Sequence, residues 1–232
     1  MKMLAVDTAT RICSAAVVEN GGLLAEFTLN HGHTHTTRLM PVICSVLEQA
    51  RLAIRELDGL AVTIGPGSFT GLRIGLSTVK GLGLATGLPV AGISTLDCLA
   101  GRFAFVSTLI CPMIDARKDE VYASLYVRQE ESLKEVCPAR AVSPAEVLQW
   151  VNKPCLFVGN GARLYRNLIK ETAGRLAVFP PEEQNHVQAA TVGLLGQRLL
   201  ASGRQTPLSC LVPWYIRQSD AERKFVQDPA GA

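Results

Sequence analysis

The order of apolar runs at the start of the chain restricts its topology more than any other feature. Met3–Val6, Ile12–Val18 and Leu23–Leu29 are short β-type runs separated by a few residues, and Asn20-Gly21-Gly22 supplies a tight turn between the second and third. Parallel neighbours need a crossover of a dozen residues or more, so these three strands must pair antiparallel. An amphipathic helix follows: Leu39, Ile43, Val46, Leu47, Ala50, Ile54 and Leu57 recur at three- and four-residue steps, with charged residues between. Thr36 or Thr37 is expected to cap it, with Pro41 tolerated in the first turn. Leu60–Ile64 then reads as a strand, Thr70–Thr86 as a second helix and Pro89–Ile93 as a further strand. The order βββαβα defines one lobe, assigned residues 1–104.

Residues 105–232 read as a second, shortened α/β lobe whose C-terminal tail packs back on the first. Thr108–Ile114, Val121–Val127, Leu133–Ala141 and Leu156–Val158 are expected strands. Ser143-Pro144-Ala145-Glu146 is a helix start, with serine as cap and proline at the first helical position. Ala162–Thr172 and Val187–Ala201 are expected helices, the last ended by Gly203, and Val212, Trp214, Tyr215 and Ile216 form an anchor in a turn-rich tail. The two halves show no sequence repeat.

Composition narrows the function classes. With 48% hydrophobic and 19% charged residues the chain is globular, and a formal charge of +3 gives no field for capturing a polyanion directly. The N-terminal apolar run ends at Asp7, too short for a signal sequence, and nothing later reaches the ~18 apolar residues of a membrane span. Seven scattered cysteines without a C-x-x-C pair fit reduced, mostly buried thiols, so a cytoplasmic protein without membrane contact is expected.

The segment Gly65-Pro66-Gly67-Ser68-Phe69-Thr70-Gly71-Leu72-Arg73 lacks the lysine of a phosphate-binding P-loop, and Thr70 stands where a dinucleotide fingerprint needs its third glycine. It serves either as a structural turn or as an anion site at the following helix N-terminus, with Ser68 or Thr70 as cap. That helix has a polar stripe of Arg73, Ser77 and Lys80 between wide apolar flanks. Its small residues Gly71, Gly75, Thr78 and Ala85 form a line, bordered by Leu72, Val79, Ile74 and Leu82. Glycine inside a helix is unfavourable by about 0.5–1 kcal/mol against alanine, so a close neighbour is expected there, either within the chain or on a second subunit. On the second reading Gly71, Leu72, Ile74, Gly75, Thr78, Val79, Leu82 and Ala85 form the interface, and a bulky residue at Gly75 abolishes dimerisation without disturbing the fold.

The string Gly65–Gly75 resembles the signature of the TsaB (YeaZ) family. Leu4-Ala5-Val6-Asp7-Thr8, His35-x-x-Arg38-Leu39-Met40-Pro41, Ile114-Asp115-Ala116-Arg117-x-x-Glu120-Val121-Tyr122 and Pro213-x-Tyr215-x-Arg217 also match it. The resemblance implies a two-lobed actin-like fold with mixed sheets flanked by helices. It implies a non-catalytic subunit of the bacterial tRNA threonylcarbamoyladenosine synthesis complex. The partners it implies are the catalytic paralogue TsaD, which transfers threonylcarbamoyl to the adenosine beside the anticodon, and the ATPase TsaE, with tRNA reached only indirectly. It also assigns the glycine-flanked helix to the partner interface and to homodimerisation when the partner is absent. No resident cofactor is implied; a nucleotide at the partner interface stays open.

Asp7, Asp115, Gly159 and Gly161 are the candidate ligand-cleft residues. Asp7 closes the first strand, where actin-like ATPases place a metal-proximal aspartate, but the loop Thr8-Ala9-Thr10-Arg11 has no glycine for phosphate approach. Asp115 with Arg117, Lys118, Asp119 and Glu120 fits a cleft wall or a solvated turn, and Gly159-Asn160-Gly161 fits ordinary turn chemistry. His31, His33 and His35 share a face only in a strand, so no metal site is expected before a helix. Two rival activities remain on the sequence: an ATP-dependent phosphotransferase using Asp7 and Asp115 on magnesium, and a glycoprotease-like hydrolase, for which the histidine pair is missing.

Overall fold

The computed structural model describes residues 1–30, 35–130 and 132–217. Strands β1 (Lys2–Asp7), β2 (Cys13–Glu19) and β3 (Gly22–Leu29) form the expected antiparallel meander. Asn20 and Gly21 take φ of 48° and 83° in its second turn, the two left-handed positions that a two-residue hairpin needs. Helix α1 (His35–Gln49), strand β4 (Gly59–Gly65), helix α2 (Phe69–Thr86) and strand β5 (Val90–Ser94) complete the first lobe. β4 and β5 run parallel to β1, giving the sheet order β3-β2-β1-β4-β5.

The first helix departs from the expected boundaries at both ends. Within the described residues it runs from His35, so Thr36 and Thr37 lie inside it, and Pro41 stands beyond the first turn on the exposed side. It stops at Gln49 because Arg51 adopts φ 55°, with Arg51 N–H donating to Glu48 O and Leu52 N–H to Leu47 O. This left-handed cap normally carries glycine, so the sequence offered no stop signal. Ile54 lies in a 3₁₀ turn, Ile54–Glu56, with Leu57 just beyond it. Helix α2 matches its expected span, and Ser68, not Thr70, is the cap: its Oγ accepts from Gly71 N–H at 3.3 Å.

Helix α3 (Thr95–Gly101) was not anticipated; it is short, capped by Ser94 Oγ on Asp97 N–H. Strands β6 (Leu109–Arg117), β7 (Glu120–Gln129) and β8 (Ser132–Val142), helix α4 (Pro144–Gln149) and strand β9 (Cys155–Val158) fall where the sequence places them. Ser143 Oγ accepts from Glu146 N–H as its motif requires. The helix expected over Ala162–Thr172 starts earlier and breaks at Tyr165 into α5 (Asn160–Leu164) and α6 (Arg166–Ala173). A two-residue strand β10 (Ala177–Val178) closes the second sheet, ordered β10-β9-β6-β7-β8.

Helix α7 (Ala189–Ala201), counted above with the second lobe, lies against the first sheet. Its Gly193 and Gly196 sit on Val18, Ala5, Ala61 and Met3; a Cβ at either would come within 2.7 Å of the sheet's side chains. The architecture is therefore five-layered. α1 and α2 cover one face of the first sheet, and α3 and α7 fill the space between the sheets. α4–α6 cover the outer face of the second sheet. Residues 206–213 then run back along β5 and β4: Thr206 N–H donates to Val90 O and Trp214 N–H to Ile64 O, both at 2.7 Å. The tail thus joins the two halves.

Candidate functional site

Between the lobes opens a polar cleft of about 850 Å³. One wall is the loop after β1 with Ala9, Thr10 and Arg11, together with the α2 entry from Gly67 to Thr70. The other is the end of β6 from Ile114 to Arg117, with Tyr122 and Asn160; Tyr215 and Arg217 from the tail close one side. Arg73 Cζ lies 3.8 Å above the Phe69 ring, and Tyr215 stacks on Phe69 at 4.6 Å with its Oη accepting from Arg73 Nε at 3.1 Å. Arg217 crosses to the second lobe, ion-pairs with Glu120 and donates to Ala116 O at 2.9 Å.

The sequence-expected cleft residues separate in three dimensions. Asp115 lines the cleft, its Oδ1 accepting from Arg117 N–H at 2.8 Å. Asp7 does not: its side chain is fully buried, with Oδ1 accepting from Thr63 Oγ1 at 2.7 Å and Ala9 N–H at 3.1 Å, while Oδ2 has no partner among the described residues. Burial pushes the Asp7 carboxyl up to about 6 against the pull of those two hydrogen bonds. Gly159 and Gly161 face β6 instead of a ligand. A Cβ on Gly159 would stand 2.3 Å from Met113 O, and one on Gly161 2.9 Å from Met113 C. Their absent side chains let α5 sit on the strand, and Gly159 also takes φ 107° at the strand-to-helix turn, as ordinary turn chemistry expects.

The phosphate-loop positions are likewise occupied by the protein. A Cβ on Gly67 would lie 2.2 Å from Ala9 O, and Ser68 N–H donates to that same carbonyl at 2.7 Å. The glycine loop is thus sealed onto the loop after β1. A magnesium-nucleotide centre on Asp7 and Asp115 does not fit, because the first carboxylate points into the core. Among the described residues no group of three His, Cys, Asp or Glu side chains is placed to hold a metal. His31 and His33 lie outside the described residues; His35 Nε2 meets Thr10 O at 2.8 Å.

The expected interface helix also divides. Gly71, Leu72, Gly75 and Val79 are buried within the chain. A Cβ on Gly71 would meet Thr8 O at 2.1 Å and one on Gly75 would meet Thr8 Oγ1 at 2.3 Å, the hydroxyl that donates to Gly71 O. The close neighbour that those two glycines demand is the β1 loop of the same chain. A bulky residue at Gly75 would therefore break the fold before it broke an interface. Ile74, Thr78 and Leu82 are half-buried, and Ala85 is exposed with Arg73, Ser77, Gly81 and Leu84. The sequence groups Arg117 with Asp115 as a cleft wall or a solvated turn, and both line the cleft; Arg11 and Arg217 carried no such expectation, and the only sequence signal for Arg217 was its place in a matched motif.

Comparison with known proteins supplies the family and agrees with the fold. Residues 18–225 match the family model described as TsaD, tRNA N6-adenosine threonylcarbamoyltransferase. The tRNA threonylcarbamoyladenosine biosynthesis protein TsaB of Bacillus subtilis is 30% identical over 98% of this chain and 99% of its own. YeaZ from Pseudomonas aeruginosa superposes with a TM-score of 0.80 at 28% identity, over 92% of this chain and 99% of its own. Component A of (R)-2-hydroxyglutaryl-CoA dehydratase from Acidaminococcus fermentans shares the fold alone. Its TM-score is 0.52 at 12% identity, over 87% and 99% of the two chains. Among the described residues no helix is long and apolar enough to cross a membrane. The chain belongs to the TsaB family of tRNA threonylcarbamoyladenosine biosynthesis proteins and has a two-lobed, actin-like α/β fold.

Proposed function

We propose that the chain is a non-catalytic subunit that docks the transferase paralogue TsaD through the outward face of α2, and that it pairs with itself there when the paralogue is absent. The observation that carries this reading is the composition of that face. Ser77, Gly81, Leu84 and Ala85 stand at i, i+4, i+7 and i+8 and are all exposed. Leu84 is 71% accessible, and among the described residues nothing lies within 4 Å of a Cβ built on Gly81. One large apolar side chain among small ones allows a second helix to approach closely and bury the leucine. A non-catalytic role is supported by the inward Asp7 and the sealed glycine loop. In this reading TsaE and tRNA engage the assembly, not this chain alone, and the complex works in the cytoplasm.

Co-expression with TsaD from the same source tests the proposal. Gly81→Leu places bulk where the monomer has room, so the melting temperature should stay while co-purification is lost; Leu84→Glu should behave alike. Undiminished co-purification of TsaD with both folded variants refutes this docking face. Turnover of ATP by the isolated chain refutes the non-catalytic role.

A further inference from the structure

We infer that the outward face of α2 recognises a partner helix by its carboxylates, and that a second copy of this chain, which has none there, is the weaker occupant. The inference rests on the docking reading above and names the chemistry that the paralogue must present to that face. It starts from charge. Residues 59–96 contain no aspartate or glutamate, and their only charges are Arg73 and Lys80. These two stand at i and i+7 on α2, close to two full turns, so they lie on one line of the helix about 10 Å apart. Arg73 is exposed and Lys80 half-buried, and neither makes an ion pair among the described residues. The neighbouring α1 adds one cation, Arg38, and one carboxylate, Glu48, which offset each other. The positive charge of α2 is left for another molecule to meet.

Arg73 is held ready to be met. Its Cζ lies 3.8 Å above the Phe69 ring and its Nε donates to Tyr215 Oη at 3.1 Å. Its two terminal nitrogens have no hydrogen-bond partner among the described residues. The stack fixes the long side chain before a partner arrives, which removes much of the rotamer entropy that ordering an arginine costs. The free edge of the guanidinium is a fork of donors matched to a carboxylate. The next exposed residue along the line makes no polar demand, because Ser77 Oγ donates back to Arg73 O at 2.6 Å. Gly81 and Leu84 beyond it supply close approach and apolar contact. The complementary surface is therefore a helix with an apolar strip and carboxylates two turns apart.

A second copy does not supply that surface. In a twofold pairing each α2 presents the same patch to its mate. Centred on Gly81, where a built Cβ meets nothing within 4 Å among the described residues, such a pairing turns both Lys80 side chains toward one axis. Each Arg73 then meets only the acid-free end of the other helix. Like charges oppose each other, and no carboxylate on the facing helix offsets them. Added salt screens both effects, so it weakens pairing with an acidic helix and strengthens self-pairing.

Calorimetric titration of the full chain with TsaD from the same source, at about 50 and about 500 mM NaCl, tests the inference, together with sedimentation equilibrium of the chain alone in the same buffers. Affinity for TsaD should fall at least tenfold with salt, whereas self-association should tighten. Arg73→Gln combined with Lys80→Gln should weaken TsaD binding at least tenfold at low salt, reduce its salt response to less than threefold and strengthen self-association. Tyr215→Phe, which removes the hydroxyl contact to Arg73 but no charge, should keep the full salt response. Gly81→Leu separates the two readings. If that variant leaves the complex intact, the docking face and its selectivity both fail. If it abolishes the complex while the doubly substituted chain keeps the wild-type salt response, the selectivity alone is overturned. A wild-type complex indifferent to salt overturns it too, as does self-association that salt weakens.

Discussion

Replacing the buried aspartate at the end of the first strand should change how stability responds to pH, in a direction opposite to that of most carboxylates. Asp7 titrates near 6 in the fold because burial disfavours its charge, against 3.8 when solvated. Below pH 3.8 the group is protonated in both states and has no effect on the balance. Between 3.8 and 6 the unfolded chain ionises while the native one holds its proton, so native stability falls as pH rises. Above 6 the loss is complete. A difference of about two units at 1.36 kcal/mol each corresponds to about 3 kcal/mol of stability forgone at neutral pH.

Asp7→Asn removes the titration but keeps an Oδ1 acceptor for Thr63 Oγ1 and Ala9 N–H. The amide nitrogen takes the place of the partnerless Oδ2, a pH-independent penalty of about 1–3 kcal/mol. The useful quantity is therefore the difference between the two proteins across pH, measured by urea unfolding from pH 4 to 7.5. That difference should move by about 2.4 kcal/mol in favour of the asparagine variant over this range, mostly between pH 4 and 6, and other titrating groups cancel. A flat difference, or wild type gaining on the variant as pH rises, refutes the reasoning; it would mean that the native fold stabilises the carboxylate.

Further outcomes can be checked independently. Gly75→Ala should lower stability by about 1–3 kcal/mol in urea unfolding, because its Cβ would press on Thr8 Oγ1, whereas Gly81→Ala should not lower it. Ser143→Ala should cost α4 its cap and about 1 kcal/mol, read as a lowered urea midpoint. In the native protein, iodoacetamide should modify Cys44 and Cys210 first; Cys13, Cys98, Cys111 and Cys155 are buried, and burial raises the Cys13 thiol to about 11. Arg217→Ala should release the tail from Glu120 and Ala116 and make it an early site of limited proteolysis, at little expense in melting temperature.

The sequence by itself determined local order: the meander and its Asn20-Gly21-Gly22 turn, the Ser143 cap, and most of the strands, while the choice between Ser68 and Thr70 as the cap of α2 waited for the structure. These follow from periodicity and from side chains that bond to their own backbone within three residues. It missed the end of α1, because Arg51 carries out a turn that ordinarily advertises itself with glycine, and it missed α3, which is too short to show a period. The candidate site was legible only as motifs. Whether Gly71 and Gly75 face a partner or Thr8, whether Asp7 points into a cleft or a core, and which arginines share one cavity depend on residues tens of positions apart. α7 shows the same limit most clearly. Its apolar pattern fixed that it is a helix, but only the small-residue faces of Gly193 and Gly196 against Ala5, Val18 and Ala61 decided that it lies on the first sheet. A hydrophobic period states how wide a face must be covered; the complementary surface that covers it exists only once the chain has folded.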